Sequence, residues 1–89
     1  MKTDDICSRY AGEKVGLTIR LLNEEVDDVP PSLVLIEGRP RALRMLAEVL
    51  VAMADESREE GFQISPTGAG SDHFSPSSEL GIYIHRLPE

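Results

Sequence analysis

The reading of this chain turns on Gly38 to Ser57, GRPRALRMLAEVLVAMADES. Gly38 permits a turn, and Pro40 suits a first helical position, where its missing N–H costs nothing. Apolar residues then recur at helical spacing as far as Ala54, and Gly61 marks a stop beyond the helix. Advancing about 100° per residue from Leu43 gathers Leu43, Leu46, Ala47, Leu50, Met53 and Ala54 on one face. Arg41, Arg44, Glu48 and Asp55 gather on the opposite side, where Arg44 and Glu48, four apart, are placed to pair. Between the two lies a further apolar flank of Ala42, Met45, Val49 and Ala52. The apolar surface is thus wider than one side of a sheet needs. Either another part of the chain covers the flank, or Met45, Val49 and Ala52 form an apolar interface with a second chain.

Working outward, Lys14 to Leu22 alternates as a half-buried strand does, with Val15, Leu17, Ile19 and Leu21 on one side. Ser32 to Gly38 is apolar on both faces, as in a central strand covered on both sides. Asn23 to Pro31, NEEVDDVPP, is the connection, and it allows the two strands to pair antiparallel. After the helix, Gly61 to Ser65 gives a short strand with Phe62 and Ile64 inward. Pro66 to Glu79 is a connection rich in Gly, Ser and Pro, and Leu80 to Leu87 alternates again. Met1 to Glu13 is mixed and polar, and reads as a loose arm pinned by Ile6 and Tyr10. The expectation is a single α+β domain over residues 1–89 with its folded core at 14–87. Its architecture is a two-layer β-β-α-β-β arrangement, with one helix on a four-stranded, mostly antiparallel sheet.

Composition narrows the function. The 89 residues carry 9 basic and 16 acidic side chains, for a net charge of −7. Nucleic acid wants a basic face to replace phosphate counterions, and an anionic membrane surface wants the same. A basic protein partner, steered by charge, suits the balance. A domain of this size has little interior to give to a deep active site. The single cysteine, Cys7, forms no intrachain disulfide and fits a reducing, cytoplasmic setting. The first residues lack the apolar run of a signal peptide, and no uncharged apolar run reaches membrane-spanning length.

Residues of catalytic type cluster only in the long connection, at Ser71, Asp72, His73, Ser75, Ser77 and Ser78. Neighbours along a chain seldom converge as a nucleophile, base and acid must, so turn formation is the plainer role. Asp72, His73, His85 and Cys7 match no metal-ligand spacing. Gly68 to Ser71, GAGS, precedes a strand rather than a helix and so lacks the setting of a phosphate loop. Glu24, Glu25, Asp27 and Asp28 lack the alternation and sharp Gly turn of a calcium loop. The expectation is a chain without cofactor, metal or catalytic residues.

One pattern goes further. Gly38, Pro40, Leu43, Leu46, Ala47 and Leu50 form a G-x-P-x-x-L-x-x-L-A-x-x-L helix. Asp72, His73 and Phe74 form D-H-F, and Ser77, Glu79, Leu80 and Ile82 open the last strand as S-x-E-L-x-I. Over Leu33 to Leu87 this resembles the small bacterial immunity proteins of polymorphic toxin systems, the immunity protein 32 family. The resemblance implies a cytoplasmic, non-enzymatic protein that binds a toxin and occludes it. It assigns no contact residues. Charge and exposure nominate Glu24, Glu25, Asp27 and Asp28, with Asp72, His73 and Phe74 of the long connection, as the partner-binding residues. A self-associating module, a homodimer built on the Met45 flank or on an open sheet edge, is the competing expectation.

Overall fold

A computed structural model describes residues 2–22, 33–55 and 60–88. In chain order the elements are α1 (Thr3–Tyr10), β1 (Thr18–Leu21), β2 (Val34–Glu37), α2 (Pro40–Asp55), β3 (Gly61–Ile64) and β4 (Ile82–His85). A single 3-10 turn, Ser71–His73, lies within the connection from β3 to β4. The class is α+β, with two helices and four strands. The strands form two antiparallel pairs, β1 with β2 and β3 with β4, rather than one four-stranded sheet.

The loose arm is instead a helix. In α1, Thr3, Ile6 and Tyr10 fall on one face and are buried. Asp4 and Asp5 stand in its first turn and Arg9 in its last, each the favourable sign for the helix dipole. Eight residues are too few for a helix to hold alone in water, so packing on α2 sustains it. The polar composition of 1–13 hid this, because a short helix needs only two or three apolar residues to dock.

The presence of α1 also changes how α2 is turned. The buried face of α2 is Ala42, Met45, Val49, Ala52 and Met53. The expected interface residues Met45, Val49 and Ala52 are therefore core, packed among Ile6, Tyr10, Leu17, Ile19, Phe62, Ile64 and Phe74. Of the expected core stripe Met53 is core and Leu46 half-buried, but the rest faces out, with Leu43 45% and Leu50 48% exposed, and Ala47 and Ala54 exposed too. A helical wheel finds two apolar stripes but cannot choose between them. Here small Ala42 and Ala52 permit close approach, and unbranched Met45 and Met53 fill the space between layers.

Strand β2 is an edge and β1 is central. Leu22 N–H donates to the Leu33 carbonyl at 3.0 Å, and Arg20 stands opposite Leu35. The other edge of β1 is taken by the long connection. Leu17 N–H donates to the His73 carbonyl at 2.9 Å, and Ser75 N–H to the Leu17 carbonyl at 2.8 Å. Ile19 N–H donates to Ser78 Oγ at 2.9 Å, while the N–H groups of Glu79 and Leu80 converge on the Ile19 carbonyl at 3.0 and 2.9 Å. This segment joins the two strand pairs. At Gly81 the chain crosses so close to β3 that a Cβ would lie 2.4 Å from the Ile64 carbonyl oxygen. The remaining strand readings agree with the structure. Phe62 and Ile64 are buried, Ile82 and Ile84 pack against the core, and Tyr83 and His85 face outward.

Candidate functional site

The β1–β2 hairpin carries a run of exposed aliphatic residues beside an open strand edge. In its register Ile19 stands opposite Ile36 and Leu21 opposite Val34, so these four share one face. Ile19 is sealed in the core, but the ladder then runs off it: Ile36 is 47% exposed, Val34 49% and Leu21 56%. Antiparallel alternation turns the backbone groups of Leu33, Leu35 and Glu37 toward β1, leaving those of Val34 and Ile36 directed to the outer edge. Among the described residues no strand pairs with that edge. The arrangement offers backbone donors and acceptors beside exposed aliphatic side chains, as strand addition by a partner requires.

The acidic Glu24, Glu25, Asp27 and Asp28 lie outside the described residues, within the segment that joins β1 to β2. Of the nominated loop residues, only Asp72 is exposed. His73 and Phe74 are buried, Phe74 as a member of the core and part of a parallel bridge to Leu17. They anchor the connection to β1 and do not form a docking surface. The fragment D-H-F thus has a packing role. His73 Nδ1 has no hydrogen-bond partner among the described residues, although the backbone has one: its N–H donates to the Gly70 carbonyl at 3.0 Å.

A second feature is the α1–α2 seam. Tyr10 Oη donates to a Glu48 carboxylate oxygen, and Arg9 pairs with the other oxygen. Arg41 forks onto Glu13 at 3.0 and 2.9 Å and lies 4.5 Å over the Tyr10 ring. The expected Arg44–Glu48 pair does not form, because α1 claims Glu48. The hydrogen bond from Tyr10, then that from Arg9, holds the Glu48 carboxyl below its ordinary value, and the Arg41 hydrogen bond does the same for Glu13. Tyr10 is raised, first by that bond to Glu48 and then by burial. Beside the seam runs an open groove of about 470 Å³ between Ile6 and Arg9 on α1 and Ala47, Val51 and Asp55 on α2.

Cys7 is half-buried, and burial together with the charges of Asp4 and Asp72 pushes its thiol up, away from the reactive thiolate. Among the described residues no group of three His, Cys, Asp or Glu side chains could hold a metal ion. No helix among them is long and apolar enough to cross a membrane.

Sequence reasoning did not single out Leu21, Val34 and Ile36. The signal was present in the two apolar faces of Leu33 to Ile36, but such a run reads as central until its neighbours are known. No family model matches the chain, nor does any curated protein or solved structure.

Proposed function

We propose that this chain is a non-enzymatic protein-binding domain whose docking surface is the open edge and apolar end of the β1–β2 hairpin. The observation that carries this reading is the ladder of Leu21, Val34 and Ile36, half exposed beside a strand edge that no strand among the described residues pairs with. An open strand edge beside exposed aliphatic side chains is a template for pairing with another chain. The segment linking the two strands contributes four acids, so a partner with a basic rim around an extended or apolar contact is the complementary shape. The resemblance to immunity proteins gives the reading a concrete form. The partner is a basic toxin domain, and neutralisation proceeds by occlusion in the cytoplasm. Acidic residues set the encounter rate, while the hairpin supplies the desolvated contact that holds the complex.

The test is co-purification with a toxin-like protein encoded beside the chain, followed by association kinetics at several salt concentrations. Reversing the charges of Glu24, Glu25, Asp27 and Asp28 slows association and flattens its salt dependence. Unchanged rates remove these acids from the account.

A further inference from the structure

The outer face of α2 is a different surface and follows a different logic. Leu43, Ala47, Leu50 and Ala54 form one exposed stripe along about three turns, flanked by Val51 at 59% exposure. Four charged side chains sit on α2. Arg41 is engaged by Glu13 and Glu48 by Arg9 and Tyr10. Arg44 and Asp55 remain exposed and without a partner among the described residues. They are of opposite sign, eleven positions apart, and therefore on nearly the same azimuth, separated by about 16 Å along the helix.

From this pattern we infer that α2 pairs antiparallel with α2 of a second copy of this chain. A two-fold axis perpendicular to the helix sets each flank against its own copy, and it reverses the order of residues along it. If Leu43 lies level with Ala54 of the second copy, Ala47 falls level with Leu50, and the other two contacts follow by symmetry. Each leucine then meets an alanine, so large side chains enter spaces left by small ones along the whole stripe. The same register brings Arg44 within about two residues, roughly 3 Å of axial rise, of the other copy's Asp55, at both ends of the pair. The stripe is complementary to itself in size, and its flank in charge. A parallel pairing would instead set each flank against the opposite one and separate Arg44 from Asp55. The contact covers one helix face, at the small end of specific interfaces, so the dimer is a weak one that responds to concentration. The β2 edge stays free in this dimer, and the inference stands independently of the reading of the hairpin.

Sedimentation equilibrium from micromolar to millimolar chain, at low salt, reads the result. The native chain shifts from monomer to dimer across the range. Leu50→Glu weakens the dimer at least tenfold, with helix content by circular dichroism unchanged. Arg44→Asp and Asp55→Arg each weaken it severalfold, because each sets like charges against one another, and the double exchange restores it. A chain that stays monomeric at every concentration overturns the inference. So does a dimer indifferent to Leu50→Glu, or one that the double exchange fails to rescue. A dimer broken instead by Val34→Lys lies at the sheet edge and contradicts it equally.

Discussion

Tyr10 donates its phenolic hydrogen to the Glu48 carboxylate, tying the end of α1 to the middle of α2. The bond requires a protonated tyrosine and an ionised glutamate, and both groups are shifted to keep those states. The pH consequence follows from the sign of each shift. Glu48 and Glu13 are lowered, so their contribution is complete above the ordinary value of 4.5 and disappears as pH falls through the lower folded values. Tyr10 is raised, so its contribution is complete below the ordinary value of 10.0 and declines as pH rises beyond it. Thermal melts across pH should show a plateau between these limits. Glu48→Gln should lower the plateau and make the acid limb shallower; an unaltered acid limb would detach Glu48 from α1.

The rotation of α2 makes a sharp comparison possible. Met45 is sealed in the core and Leu43 is nearly half exposed, although the two are only two residues apart. Met45→Ala should cost about 2–5 kcal/mol, the usual range for emptying a core site. That is a large part of the roughly 5–15 kcal/mol that holds a domain of this kind together. Leu43→Ala should cost under about 1 kcal/mol, as partly exposed positions usually do. Urea unfolding of both variants decides it. Equal losses, or a larger loss at Leu43, would place the leucine stripe in the core after all.

Gly81 faces a backbone obstacle rather than a conformational one. A Cβ there would lie 2.4 Å from the Ile64 carbonyl oxygen and 2.8 Å from Ser65 Cα, and neither atom belongs to a flexible side-chain end. Gly81→Ala should destabilise by about 1–3 kcal/mol through this overpacking. The amides of Glu79 and Leu80, which hold the connection to Ile19, should exchange faster in that variant. Native-like exchange at these two amides would show that the crossing is looser than described.

His73 gives a prediction of the opposite sign. Its Nδ1 is buried without a hydrogen-bond partner among the described residues, and such an orphan costs on the order of 1–3 kcal/mol. The backbone of His73 carries the contacts to Gly70 and Leu17, and a substitution keeps those. His73→Leu should therefore hold or raise the melting temperature. A clear fall would mean that the imidazole has a partner on which the connection depends.

Much of the fold is legible in the sequence, and its gaps have physical causes. Alternation locates β1, β3 and β4 and the buried Ile19, Phe62 and Ile64, though it also turns inward Leu21, which is exposed; the Gly–Pro punctuation locates the start of α2. The connection between the first two strands allows the antiparallel pairing that the structure shows. Periodicity alone cannot say which apolar stripe of α2 is inside, because that depends on α1, whose eight residues show only Ile6 and Tyr10 as apolar anchors. Nor can it say whether Val34 to Ile36 is central or at an edge, since a strand's neighbours are not written in its own residues. Two of the nominated site residues, His73 and Phe74, are buried for the same reason. Asp72, His73 and Phe74 look like an exposed polar loop by composition, yet the hydrogen bonds that Leu17 makes with His73 and Ser75, on either side of Phe74, draw the segment in, and only the tertiary structure supplies them.

The claim on which the function rests is that the hairpin end of Leu21, Val34 and Ile36 is a surface for another protein. Isothermal titration of the folded chain with the proposed partner, a basic toxin domain, beside an Ile36→Lys variant of matched stability, tests it most directly. Saturable binding by the native chain, weakened at least tenfold by the lysine, is the expected result. Equal affinity in the two would contradict the account, and so would the absence of any binding by the native chain.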